Sequence, residues 1–281
     1  MALQRIDRMR LSDYRAFEAE LCFDFTGGLT IIHGPNGSGK TSVLRAIRDA
    51  LTTDERDGEV YRIRSGGLPG QDAVIDLEFT AGDEGLRIRK RFTEQPAATS
   101  ELFEGGEFLN HTPLLSGINA TRAVLALVLP LAYYDPFRRE ELNSPLSGYL
   151  SAAAIRDMQM HLDRWLMEIP DHIGRVTLDR AGSMTTFTDR DGRETRIELL
   201  SGGRQALFRR LHWMAEAVVA ADRGAAGSVI LMDVIDHMSR QQTEDRIAAV
   251  MMAIAEDSNI QFIVTSNRPF PTGASSLIDL S

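Results

Sequence analysis

Leu29-Thr30-Ile31-Ile32-His33-Gly34-Pro35-Asn36-Gly37-Ser38-Gly39-Lys40-Thr41 is the stretch on which the reading of this chain turns. Its first five residues predict a buried strand, and Gly34 to Thr41 then fits G-x-x-x-x-G-K-[ST] at every fixed position. From Lys40 to Leu51, the apolar residues Val43, Leu44, Ile47 and Leu51 fall on one helical face. A strand before and a helix after are the context in which this pattern marks a phosphate-binding loop rather than a plain helix-starting turn. Glycines free backbone N–H groups, and the helix N-terminus adds the positive end of its dipole, so the loop suits a polyphosphate. Gly34, Asn36, Gly37, Ser38 and Gly39 would then line the phosphates, with Lys40 reaching the β- and γ-phosphates. Thr41 would offer its hydroxyl to Mg2+ and Ser42 would bond the α-phosphate of ATP.

Outward from this loop the chain alternates in an orderly way. Leu3 to Leu11 and Glu20 to Phe25 read as strands before it. Thr52 to Gly70 reads as a loop, Ala73 to Phe79 with Leu86 to Phe92 as a hairpin, and Glu101 to Leu109 as a smaller one around Gly105-Gly106. Asn119 to Leu131 and Ser147 to Ile169 switch to helical periodicity. On the second, Leu150, Ala154, Met158, Leu162, Trp165 and Leu166 form one apolar face. Short strands are expected near Arg175 to Leu178, Met184 to Thr188 and Thr195 to Leu199. Helix and strand then alternate through Arg204 to Ala221, Ser228 to Asp233, Gln241 to Ala255 and Ile260 to Thr265, which predicts an α/β core with parallel strands. No internal repeat is found.

At 281 residues and 43% hydrophobic, the chain can bury a large core. A net charge of −9 gives no support for an overall nucleic-acid-binding surface and leaves open a local basic patch. Cys22 is the only cysteine, so no intramolecular disulfide or cysteine-cluster metal site can form, and the six histidines lack metal-ligand spacing. Met1 to Arg10 has no signal-peptide core and Ala123 to Tyr134 is too short to span a bilayer. A soluble, cytoplasmic chain with no membrane partner is the expectation.

Two further segments join the phosphate loop. Val229-Ile230-Leu231-Met232-Asp233 reads as a Walker B strand whose Asp233 holds the metal directly or through water. Leu200-Ser201-Gly202-Gly203-Arg204-Gln205 precedes an amphipathic helix. With Tyr14-Arg15-Ala16-Phe17 after the first strand and Gln261 to Pro269 near the end, the set resembles the RecF/SMC-like branch of ABC ATPases, which includes OLD-type anti-phage proteins. The resemblance covers both ends of the chain; Pro96 to Glu194 matches only in general character. It implies an ABC-type P-loop NTPase head with a mixed-sheet N-terminal lobe and a short helical lobe. Residues 1–110 and 196–281 would build the ATPase lobe and 111–195 the insertion. No sustained heptads separate Thr41 from Ser201, so a compact head without a long coiled coil is expected.

The resemblance also implies an ATP sandwich. Ser201, Gly202, Gly203 and Gln205 would form a signature loop that caps the γ-phosphate held by another protomer. A serine hydroxyl, open backbone N–H groups and a helix N-terminus have the chemistry for it. A plain N-cap is the competing account of Ser201. Arg15 is a candidate for phosphate contact, as is Arg64; an ordinary surface role is the alternative for each. Asn267 falls where the family's switch histidine is usual, and it can hydrogen-bond a γ-phosphate without titrating.

Val234 stands where the family has its catalytic glutamate, and an alkyl group can neither accept nor orient a proton. Loss of a general base costs about 10²–10⁴ in rate. Asp236 is the one weak substitute, so no catalytic residue is certain and slow or absent hydrolysis is expected. Tyr133-Tyr134-Asp135 sits where the family's Q-loop glutamine is sought. An impaired Walker B side beside an intact signature loop suggests lending that loop to a different ATPase subunit, with a homodimer as the rival. Closure would gate DNA or a partner effector in genome maintenance or anti-phage defence. An active DNA-repair motor and a transporter nucleotide-binding subunit are the alternatives. Arg87, Arg89, Lys90 and Arg91 form a candidate DNA contact or else a solvated strand face; Arg204, Arg209 and Arg210 form a second basic cluster.

Overall fold

In the computed structural model the described residues are 3–51, 72–81, 83–92, 99–104, 107–108, 132–134, 150–169, 174–224, 228–233, 241–268 and 276–280. A five-stranded sheet lies at the centre. Its strands are β3 (Leu29–His33), β8 (Ala132–Tyr134), β12 (Val229–Met232), β13 (Gln261–Ser266) and β14 (Ser276–Asp279), in the order β14-β3-β13-β12-β8. Every pairing in it is parallel. β3, β12 and β13 are buried almost throughout, as near-continuous apolar runs must be when both sheet faces are covered.

Strand alternation sends side chains into two cores. Leu29, Ile31, Ile230, Met232, Phe262 and Val264 meet one hydrophobic cluster; Ile32, Val229, Leu231 and Ile263 meet the other. The first is completed by α2 (Ala152–Glu168), α3 (Gly202–Asp222) and α4 (Gln241–Asp257). α2 starts at Ser151, whose hydroxyl accepts from the Ala154 amide, and it buries the apolar face expected from its periodicity. The second core holds α1 (Lys40–Leu51) under a six-stranded antiparallel sheet. That sheet comprises β1 (Leu3–Ser12), β2 (Leu21–Asp24), β4 (Ala73–Ala81), β5 (Glu84–Phe92), β6 (Thr99–Glu104) and β7 (Glu107–Phe108), ordered β2-β1-β4-β5-β6-β7. The expected mixed-sheet character thus resolves into two sheets, one parallel and one antiparallel.

Gln261 ties the two sheets together. Its side-chain amide accepts from the Ile6 N–H at 2.8 Å and donates to the carbonyls of Ile6 at 2.9 Å and Thr26 at 3.0 Å. A third, three-stranded antiparallel sheet is built from β9 (Gly174–Leu178), β10 (Met184–Asp189) and β11 (Glu194–Arg196). Only glycine fits at Gly174, where a Cβ would lie 2.4 Å from the Thr188 carbonyl oxygen. The strand expected over Thr195 to Leu199 stops at Arg196, and Ile197–Leu199 instead forms one turn of 3-10 helix. β8 and β14 were not among the expected strands. The helix expected over Asn119 to Leu131 lies outside the described residues. No helix among the described residues is long and apolar enough to cross a membrane.

Candidate functional site

β3 delivers the glycine loop to the carboxyl edge of the parallel sheet, where ligands of open α/β sheets gather. A turn closes by the Ser38 N–H donating to the Pro35 carbonyl at 3.2 Å. Gly37 and Gly39 hold φ of 88° and 98°, a left-handed conformation that disfavours side chains. At Gly39 a Cβ would also sit 2.5 Å from the ring of Phe17, so that ring rests directly on the loop. The buried Lys40 ammonium donates to the carbonyls of Gly34 and Pro35, each at 2.8 Å. Its charge is thereby fixed against the start of the loop.

Asp233 follows β12 at the same edge and is 1% exposed. Its Oδ1 accepts from the hydroxyl of Thr41 at 3.1 Å and from that of Thr265 at 2.7 Å. Thr41 and Asp233 thus meet across 192 residues. Thr265 was not singled out from sequence. Its signal was a hydroxyl directly after the apolar run Phe262 to Val264, one position beyond the residue paired with Met232.

Parallel pairing of Ser266 with His33 brings Asn267 beside the start of the loop. Asn267 is exposed there. Ser266 brackets the next turn: its hydroxyl donates to the Arg268 carbonyl at 2.7 Å and accepts the Arg268 amide at 3.1 Å. The Arg268 guanidinium in turn bonds the buried Glu244 of α4 at 2.8 Å. This latch between the end of β13 and α4 was also missed from sequence.

Tyr14 to Phe17 is a tight turn, closed by the Phe17 amide donating to the Tyr14 carbonyl at 3.0 Å. Asp13 and Arg15 both have positive φ, 51° and 52°, uncommon for residues other than glycine. Tyr14 is fully buried and donates its hydroxyl to Asp49 Oδ2 of α1 at 2.8 Å. Burial first, and the Asp49 carboxylate second, push its phenol well above the usual range. The same oxygen accepts from Arg15 Nε at 3.2 Å. Arg15 itself is half-buried.

Ser201, Gly202 and Gly203 open α3, with Ser201 and Gly202 exposed. Ser201 stands at the N-cap position of α3 and makes no side-chain cap hydrogen bond. Gln205 points back and donates to the carbonyls of Glu198 at 3.0 Å and Leu200 at 2.8 Å, fixing the loop to the 3-10 turn. Leu199, 75% exposed, stands next to it.

The basic clusters fare differently from expectation. Arg87 and Arg89 of β5 converge on the buried Asp76 of β4, with Arg87 Nε at 2.6 Å and Arg89 Nη2 at 2.9 Å from it. Lys90 is buried and donates to the Asp49 carbonyl at 2.7 Å. Arg87 and Arg89 are thus paired and half-buried, Lys90 is buried and Arg91 is exposed, so the run is not uniformly a solvated strand face. In the second cluster Arg204 stacks over Phe187, Arg209 reaches Gln205 and Arg210 is buried. Among the described residues no cluster of acidic, histidine or cysteine side chains has the makings of a separate metal site. Val234, Asp236, Asp135 and Arg64 lie outside the described residues.

A family model described as an AAA domain matches residues 8–113. The chain is 33% identical over 112 residues to a DNA double-strand break repair Rad50 ATPase of Thermoplasma acidophilum, covering 38% of this chain and 12% of that one. It is 35% identical over 104 residues to the DNA replication and repair protein RecF of Heliobacterium modesticaldum, 32% of this chain and 26% of the relative. The chain therefore spans only a minor part of these relatives' length. A cytochrome c biogenesis ATP-binding export protein of Rhizobium meliloti is 28% identical over 174 residues, 59% of this chain and 75% of the relative. Among solved structures, the SMC head domain from Thermotoga maritima superposes with a TM-score of 0.62 at 16% identity, covering 94% of this chain and 89% of its own. An SmcHead bound to the C-winged helix domain of ScpA gives the same score at 17% identity, with 94% and 90% covered. The fold over nearly the whole chain is that of an SMC head.

Proposed function

Since this chain is a RecF/SMC-like ABC-type ATPase head, we propose that it binds Mg-ATP at Gly34–Ser42 and closes over the nucleotide with a partner's signature loop. The observation that carries this reading is the convergence of Lys40, Thr41 and Asp233 at one edge of the parallel sheet, with an uncapped Ser201 exposed at the head of α3. The residues fit the ligand: a lysine already centred on the loop, glycines in left-handed conformations, and a hydroxyl–carboxylate oxygen pair 3.1 Å apart. Thr41 and Asp233 would hold Mg2+, whose charge offsets that of the phosphates when bound. Asn267 and Arg15 would complete the contacts to ATP, and Ser201, Gly202, Gly203 and Gln205 would serve the nucleotide of the opposite protomer.

With Val234 in the position of a general base, closure would outlast many encounters before hydrolysis. ATP then acts as a ligand that stabilises the closed dimer by its preference for that state. The output is control of DNA or of a partner effector, in genome maintenance or anti-phage defence. The inserted lobe lies within residues 111–195, apart from β8, which is a strand of the central sheet, and the partner is a second ATPase subunit or a second copy. Likeness to the Rad50 and RecF repair proteins supports this direction, and the match to an export ATPase supports a transporter subunit as the second reading.

Light scattering of the purified chain with and without Mg-ATP, alongside turnover, tests the proposal. Binding and association with negligible turnover, both lost in Lys40→Ala, are expected, and Ser201→Arg should keep binding while losing association. Nucleotide-independent mass with fast turnover in the lone chain would overturn it. Co-purification with a membrane subunit would favour the transporter reading.

A further inference from the structure

We propose that Tyr14 is a positioning residue for ATP binding: anchored on Asp49, its hydroxyl holds Arg15 at the mouth of the phosphate loop. The inference rests on the nucleotide-binding reading of that loop.

Three observations converge on it. The Tyr14 oxygen both donates to Asp49 at 2.8 Å and accepts from Arg15 Nε at 3.2 Å, giving a directed chain from guanidinium to phenol to carboxylate. Such a chain polarises each member and fixes its geometry. Second, its far end is rigidly held. Asp49 is 4% exposed, its Oδ1 accepts from Arg48 at 2.8 Å, and its backbone carbonyl accepts from Lys90 at 2.7 Å. Tyr14 packs against Phe92, with ring centroids 6.3 Å apart. Third, the turn carrying Arg15 lies on the loop, because Phe17, two residues on, rests against Gly39.

The arrangement has a cost that its contacts do not repay locally. An L-residue in the left-handed region loses about 1–2 kcal/mol relative to glycine, and long side chains are rarely placed there. Such strain persists where the surroundings over-determine it, and it clusters at ligand-binding positions. Using only Nε for the tyrosine leaves both Nη groups unbonded among the described residues. That is the forked end that meets phosphate oxygens in two parallel bonds. A guanidinium fixed through Nε presents this fork without first losing the rotamer freedom of a long side chain.

Calorimetric titration of the full chain with Mg-ATP, paired with thermal unfolding, separates positioning from a purely structural role. Arg15→Gly should leave the melting temperature unchanged or raised while weakening ATP binding by about ten-fold. Tyr14→Phe keeps the ring and removes the hydroxyl; it should weaken ATP binding several-fold, with no further loss in the Arg15→Gly background. If Tyr14→Phe proves too unstable, Asp49→Asn combined with Arg15→Gly reads the same coupling. Unchanged ATP affinity in Arg15→Gly, or equal losses from Tyr14→Phe with and without Arg15, would overturn the proposal. Lys40→Ala keeps the two questions apart. If it abolishes binding while Arg15→Gly does nothing, the site stands and the positioning role falls. If wild type itself binds no Mg-ATP, both fall.

Discussion

Thr265 donates its hydroxyl to Asp233 Oδ1 at 2.7 Å, a shorter bond to the same oxygen that Thr41 reaches at 3.1 Å. Both Thr265 and Asp233 are buried, so the bond offsets part of the desolvation of a carboxylate. It also orients that carboxylate toward the strand edge, with the switch strand rather than the phosphate loop as its firmest support. Thr265→Val preserves shape and removes the donor. The expected outcome is a loss of about 1–3 kcal/mol in urea unfolding, together with weaker Mg2+ dependence of ATP binding.

Lys40 is held by two loop carbonyls, which fix its ammonium group in the loop. Lys40→Met keeps the stem, leaves the folded structure intact and removes the charge. ATP binding is expected to fall at least about 100-fold, the scale of losing charge-assisted phosphate bonds, with far-UV circular dichroism unchanged.

Arg268 ties the end of the switch strand to Glu244, whose side chain is 3% exposed against 26% for the arginine. Truncation in Arg268→Ala leaves a buried carboxylate short of its cation. About 2–3 kcal/mol of destabilisation is expected, less than for a fully buried pair because Arg268 is partly solvated. Arg268→Lys should recover part of it. Denaturant midpoints for the two variants, with an unchanged m-value, check this.

Asp76 supplies a pH signature. Burial raises its carboxyl pKa, but hydrogen bonds and charge from Arg87 and Arg89 outweigh this, so the folded value lies below the ordinary one. A depressed folded pKa contributes stability that is complete above the unfolded value of about 3.9 and is lost as pH falls through the folded one. The stability gap between wild type and Asp76→Asn should therefore be constant from pH 7 to about 5 and shrink below about 4. A gap that widens on acidification would show that Asp76 is not held ionised.

The strand, glycine loop and helix around Gly34 to Thr41 were legible because their pattern is local: glycine spacing, a lysine and a hydroxyl in one run. β3, α1, β12 and β13 were legible for a similar reason, since buried parallel strands are apolar throughout. β8 and β14 escaped because three or four residues carry too little pattern to exceed their surroundings. The strand expected through Leu199 failed at Arg196 because the chain must turn there to place Gln205 under the Leu200 carbonyl. For Arg87, Arg89 and Lys90, sequence showed charge but not what the neighbouring strand and α1 would set against it.

By itself, then, the sequence determined an α/β fold with a glycine loop between a buried strand and a helix, a buried apolar strand ending at Asp233, and a Ser-Gly-Gly segment at the head of a helix. Those features rest on residue type and spacing along one stretch of chain. Tertiary structure decided that Thr265 shares Asp233 with Thr41, that Arg268 latches to Glu244, and that Tyr14 bridges Asp49 and Arg15. Apart from the adjacent Tyr14–Arg15 contact, each joins residues of different elements, with partners set by strand order, register and the packing of α1 beneath the antiparallel sheet. Hydrogen bonds act over about 3 Å, and only the folded chain brings such distant groups within that reach.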